Sequence, residues 1–119
     1  MNDKNDKHVD RDVLSTLQEV MEEGYADLLG IFLADSEERL DVLRTADSTA
    51  LLVATAHSFK GSSSNMGALR LAELCRQLEQ QAASLPWAAV KEMVGKIDRE
   101  FASIRPEYEA ERQRCTAKI

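Results

Sequence analysis

Apolar residues recur at helical intervals over most of this chain, and no segment sustains the alternation of a half-buried strand. In the last third, Val90, Val94, Ile97, Phe101, Ile104 and Tyr108 follow one another at spacings of 4, 3, 4, 3 and 4, the seam of a bundle helix. Shorter stripes precede it. Val13, Leu14, Leu17, Val20 and Met21 mark a short first helix. Tyr25, Leu28, Leu29, Phe32, Ser36, Leu40 and Leu43 mark a second over about 25–45. Leu52, Ala56, Phe59 and Ser63 mark a third over about 49–64, and Leu71, Leu74, Cys75, Leu78 and Ala82 a fourth over about 68–83. Amphipathic helices joined by short connections close as antiparallel neighbours. The pattern predicts an all-α fold: an antiparallel up-down four-helix bundle with an additional short N-terminal helix.

Five glycines and two prolines leave few places to break these helices. Asp10 is a suitable N-cap for the first helix, and Asp47 or Ser48 for the third. Gly24 is expected to interrupt the first helix. The stretch Ser62-Ser63-Ser64-Asn65-Met66-Gly67 is weak in helix propensity and predicts a frayed end and a turn. Ser84-Leu85-Pro86 restarts the chain, because proline is tolerated in a first turn. Pro106 falls inside the last stripe and is expected to kink or break it. The domain is placed at 10–115, between a flexible N-terminal tail at 1–9 and a C-terminal tail at 116–119.

Charge narrows the function. With 15 basic and 21 acidic side chains, net −6, the chain lacks the basic face that nucleic acid requires and does not suit an anionic membrane. No apolar run is long enough for a membrane span, and Met1 to Asp10 is too polar for a signal peptide. Cys75 and Cys115 form no CxxC pair and no disulfide framework, so Cys75 is expected in the core and Cys115 as a tail thiol. Neither has ligand spacing to His57, and His8 falls in the expected tail, so no metal site is expected. A cytoplasmic protein fits.

The stretch that carries chemistry is Ala56-His57-Ser58-Phe59-Lys60-Gly61-Ser62-Ser63. On a helix Phe59 lies about 160° around from His57. If Phe59 and Leu52 face the core, His57 faces out, and Lys60, Gly61, Ser64 and Val53 share its exposed face. A mid-helix glycine costs about 1 kcal/mol relative to alanine. Beside an exposed imidazole its natural reason is clearance for a second surface. Lys60 supplies a cation one turn from the ring, suited to an anion on or near it. An imidazole nitrogen next to such a cation is half of a phosphoryl-transfer site, because that chemistry demands positioning and charge stabilisation. Nothing in the chain supplies the other half, a phosphate-cradling loop or kinase signature. Taken singly, each feature also has an inert reading: a solvated histidine, a commonplace lysine, a glycine that loosens a helix end. A helical adaptor with an apolar groove, or a subunit of a coiled-coil assembly, would carry the same stripes.

As a set, this stretch together with Met66-Gly67-Ala68 and Leu71-Ala72-Glu73-Leu74-Cys75-Arg76-Gln77-Leu78-Glu79 resembles histidine-containing phosphotransfer (HPt) domains, in particular stand-alone bacterial members of the HptB type. The resemblance implies the same bundle with an N-terminal helix. It implies that His57 accepts a phosphoryl group on Nε2, that Lys60 neighbours that phosphoryl group, and that Gly61 opens room for a docking receiver domain. Glu79 matches a position, glutamine in other members, that orients the histidine through Nδ1. Hairpin arithmetic agrees: if the chain turns near Gly67 and Ala68, residues 57 and 79 lie at similar heights. Arg76, one turn from Glu79, is expected to add positive charge, since Lys60, Arg70, Glu73 and Arg76 give net +2 between residues 57 and 76. Val53 and Ser64 complete the expected docking face with Gly61 and Arg76. Phe59 stands where the family often has leucine, a change of core volume only. The partners implied are receiver domains of hybrid sensor kinases and of a response regulator. The chain is expected to act as a monomer without autokinase activity, without nucleic acid or membrane, and without a cofactor, Mg²⁺ belonging to the receiver.

Overall fold

The structure, a computed structural model, describes residues 8–116. Helix α1 spans Arg11–Met21 and a 3₁₀ turn Glu22–Gly24 leads into α2, Tyr25–Thr45. Then come α3, Thr49–Asn65, α4, Leu69–Gln81, and α5, Trp87–Thr116. Helix α2 packs on α3 and α5, and α4 packs on the same two, which closes the antiparallel four-helix bundle. The additional helix α1 lies against α2 at one end. No helix is long and apolar enough to cross a membrane among the described residues.

The inward stripes are the expected ones. Tyr25, Leu29, Leu40, Leu43, Leu52, Phe59, Leu71, Leu78, Val90, Ile97, Ile104 and Tyr108 are essentially inaccessible to water. Asp10 caps α1 by accepting from the Asp12 N–H, and Ser48 rather than Asp47 caps α3 by accepting from the Leu51 N–H. The Phe32 and Tyr108 rings meet at 5.0 Å between centroids, and the Tyr108 hydroxyl donates to the Met66 carbonyl at 2.7 Å. That bond ties α5 to the turn between α3 and α4.

Four local expectations are revised. The serine-rich end of α3 is not frayed: the helix runs to Asn65 with Ser63 buried, because the turn that follows satisfies its last carbonyls. Gly67 adopts φ +77°, the Gly67 N–H reaches the Ser64 carbonyl at 3.1 Å and the Ala68 N–H reaches the Ser63 carbonyl at 2.8 Å. This is the Schellman pattern, in which a left-handed residue closes the helix. Pro106 does not break α5, which is continuous across it. Pro106 and Ala102, whose carbonyl loses its helical donor, are both exposed, so water can take that carbonyl. The first helix ends at Glu22, whose φ is +49°, rather than at Gly24. Of its apolar residues only Leu14 is buried, while Val20 is 71% exposed, since α1 covers one end of the bundle and not its length.

The fourth revision concerns the N-terminal tail expected over 1–9. Residues 1–7, like 117–119, lie outside the described residues, but His8 and Val9 are docked. Val9 is 2% exposed. The Leu69 N–H donates to the His8 carbonyl at 3.1 Å, and the Asp10 N–H to the Gly67 carbonyl at 2.8 Å. His8 Nδ1 also lies 2.7 Å from Oε2 of Glu100, a nearly buried carboxylate on α5. The segment 8–10 is thus a strap across the α3–α4 turn.

Gly67 is required twice. Its φ disfavours any side chain, and a Cβ there would meet the Asp10 carbonyl oxygen at 3.0 Å and Val13 Cβ at 3.1 Å. Gly67→Ala is expected to cost about 1–3 kcal/mol, the range for a strained backbone position. Urea unfolding of the two proteins measures it; equal midpoints would show that the turn relaxes freely.

Candidate functional site

Helix α3 presents His57 outward because Ala56 and Phe59, both fully buried, anchor its other side. The His57 side chain is 67% exposed. Across the hairpin, Glu79 of α4 brings Oε2 to 2.7 Å from His57 Nδ1. The carboxylate accepts only if Nδ1 carries the proton, so the contact selects the Nδ1–H tautomer and leaves Nε2 as the nitrogen with a free lone pair. The other carboxylate oxygen, Oε1, lies 2.9 Å from Lys60 Nζ. One carboxylate therefore holds the imidazole and the ammonium side by side. Lys60 first, and His57 second, keep the Glu79 carboxyl below its ordinary range, against a smaller opposing effect of burial.

The structure brings His57, Lys60 and Glu79 together. Lys60 pairs with Glu79, a contact the sequence reading did not anticipate. Counting from the turn alone would set residue 60 opposite residue 76. Helical side chains lean toward their own N-terminus, which carries Lys60 back to the level of His57 and of Glu79. Arg76 is not part of this group: it pairs with Glu73, at 2.9 Å through Nε, and with Gln80 at 2.7 Å through Nη1. Arg76 and then Gln77 draw the Glu73 carboxyl down to about 2. Of the positive charges summed along 57–76, Lys60 and Arg76 are thus taken up by Glu79 and Glu73.

On the same face of α3, Gly61 and Ser64 are exposed and Val53 is half-buried against the core. Nothing lies within 4 Å of where a Gly61 Cβ would stand. No packing inside the protein asks for glycine there, and α3 continues four residues beyond it to Asn65, so Gly61 is no loose helix end. A further neighbour escaped the sequence reading: Arg39 of α2 donates through Nε to the Ser58 hydroxyl at 3.2 Å, beside His57. Only tertiary packing reveals that contact. Among the described residues no group of three or more His, Cys, Asp or Glu side chains is arranged to hold a metal ion.

The family model of the Hpt domain matches residues 27–105, which include all of α3 and α4. The crystal structure of histidine-containing phosphotransfer protein B (HptB) from Pseudomonas aeruginosa superposes with a TM-score of 0.85, at 46% sequence identity over 90% of this chain and 96% of that one. No curated protein matches the chain.

Two stability outcomes follow from the site's geometry. Gly61→Ala should raise unfolding stability by up to about 1 kcal/mol, through helix propensity with no clash to offset it; a loss in denaturant midpoint would contradict the open space. The carboxyl of Glu79 is depressed in the folded state, so its stabilising contribution is fully present above the unfolded carboxylate's pKa and is lost as pH falls through the folded value. Glu79→Gln should therefore flatten the acid limb of a stability–pH curve while leaving its alkaline limb in shape.

Proposed function

The chain belongs to the Hpt domain family, and on that premise we propose that it is the phosphoryl carrier of a multistep two-component phosphorelay, with His57 as its phosphohistidine. The observation that carries this reading is one Glu79 carboxylate that holds Nδ1 of the two-thirds-exposed His57 and Lys60 Nζ side by side, with open space at Gly61 one turn on. It leaves Nε2 as the one unengaged nucleophilic nitrogen of the ring.

In the proposed reaction Nε2 attacks the phosphorus of an aspartyl phosphate on the receiver domain of a hybrid sensor kinase. The Nε2–P bond forms as the P–O bond to the aspartyl group breaks, and the electron pair leaves with the aspartate carboxylate. Transfer to a response regulator is the reverse step on a second receiver. Lys60 faces the charge of the moving phosphoryl group, where a loose transition state responds to positioning and electrostatics. Glu79 is a positioning residue, acting through His57 Nδ1. Gly61, Val53 and Ser64 form the face on which the receiver rests, with Arg76 at its edge. Each receiver brings the Mg²⁺, so this chain contributes no metal or cofactor and has no autokinase activity. We place it in the cytoplasm as a monomer.

His57→Gln keeps a polar side chain at an exposed helix position, so it should change stability by no more than about 0.5 kcal/mol and abolish phosphoryl acceptance. The assay is transfer from a phosphorylated receiver with detection of an acid-labile, alkali-stable adduct; labelling of the variant at the parent rate removes His57 from the reaction. Gly61→Gln tests the docking face: the helix should hold while transfer from a receiver slows, and an unchanged transfer rate would leave clearance without a role.

A further inference from the structure

Lys60 and His57 share one counter-charge. Glu79 Oε2 binds His57 Nδ1 at 2.7 Å while Oε1 of the same carboxylate holds Lys60 Nζ at 2.9 Å. The lysine is two-thirds covered, at 32% exposed, and Glu79 is more covered still, at 22%, so this is not a loose surface pair. Among the described residues Glu79 is the carboxylate within ion-pair distance of Lys60. A phosphoryl group arriving at Nε2 introduces a second, stronger anion within reach of the same ammonium. The lysine cannot serve both fully, because a charge contact weakens as soon as one ammonium is divided between two acceptors.

We propose that Glu79 restrains Lys60 as well as orienting His57, so that the carboxylate competes with the incoming phosphoryl group for the lysine and thereby moderates how readily His57 is phosphorylated. This rests on His57 being the phosphoryl acceptor. It assigns Glu79 two opposed effects on the reaction. Through Oε2 it promotes attack by presenting Nε2 unprotonated. Through Oε1 it withholds part of the cation that stabilises the transferred group. A glutamine at this position separates the two, because its amide carbonyl accepts the Nδ1 proton yet carries no charge to hold the lysine. Glu79 thereby sets reactivity at His57 without touching the phosphoryl group.

A double-mutant cycle isolates the competition, since effects of residue 79 on the ring alone cancel from it. The probe is phosphoramidate, which needs neither receiver nor Mg²⁺. Nε2 bonds to its phosphorus as the P–N bond breaks and ammonia departs with the electron pair. The Nδ1 proton stays on the ring, facing residue 79, until solvent or the ammonia removes it. Initial rates of phosphohistidine formation are compared for the parent, Lys60→Ala, Glu79→Gln and the double variant, with nitrogen NMR of the ring to verify the Nδ1–H tautomer in Glu79→Gln.

Lys60→Ala should slow phosphorylation more in the Glu79→Gln background than in the parent, by about two- to fivefold, the scale of one partly covered ion pair at the protein surface. Equal slowing in both backgrounds, or greater slowing in the parent, would overturn the competition while leaving the phosphohistidine intact. No labelling of the parent chain by phosphoramidate or by a phosphorylated receiver would instead remove the acceptor role of His57, and this proposal with it.

Discussion

The site depends on the height at which α4 passes α3, and that height is set at Gly67. Its left-handed backbone closes α3 through the Ser63 and Ser64 carbonyls. The Tyr108 hydroxyl fixes the Met66 carbonyl from α5, and the strap at His8 and Asp10 fixes both sides of the turn. Eight residues lead back from Asn65 to His57, and ten lead on from Leu69 to Glu79. At 1.5 Å per residue the second path is longer by about 3 Å. Side-chain direction closes the difference. The His57 and Lys60 side chains lean away from the turn and Glu79 leans back toward it, because each points to its own helix's N-terminus. A one-residue change in the turn would rotate α4 by about 100° and carry Glu79 off the shared face.

Core and site divide along the two sides of one helix. Leu52, Ala56, Phe59 and Ser63 of α3 are fully buried, so the helix under His57 has no freedom to roll. The exposed side carries polar groups held by partners: His57 and Lys60 share Glu79, Arg76 rests on Glu73 and Gln80, and Arg39 on Ser58. Such pairs contribute little to global stability where they are exposed. Their consequence is orientation: they determine which nitrogen and which cation a partner meets.

Much of this was legible beforehand. The stripes on α2, α3, α4 and α5 are periodic enough that every buried face was readable from spacing alone, and the outward direction of His57 followed from Phe59 and Leu52. The height of Glu79 followed from the position of the turn. What failed to show depended on packing between distant segments. The burial of Val9 requires knowing that the strap crosses Gly67, and nothing in a polar N-terminal run signals it. Pro106 reads as a helix breaker until α5's orientation exposes both the proline and the carbonyl it orphans. Arg76 counts as free charge along the sequence, but Glu73 lies three residues before it on the same helix and claims it. That pairing was available from i, i+3 spacing.

The chain's second histidine shows what the first needs. His8 also rests Nδ1 on a glutamate Oε2 at 2.7 Å, so both rings are held in the same tautomer by the same kind of contact. Glu100, however, is 9% exposed, and among the described residues its ion-pair partner is His8 itself, with no lysine on the other oxygen. The Leu69 N–H of α4, moreover, takes up the His8 carbonyl in a backbone hydrogen bond. A carboxylate on Nδ1 is therefore not what sets His57 apart from His8. The difference lies around it: a regular helix whose far side is locked into the core, a glycine one turn on whose missing Cβ leaves open space, and a lysine within reach of the ring. His57 has all three, whereas the His8–Glu100 pair serves to fasten the N-terminal segment to α5.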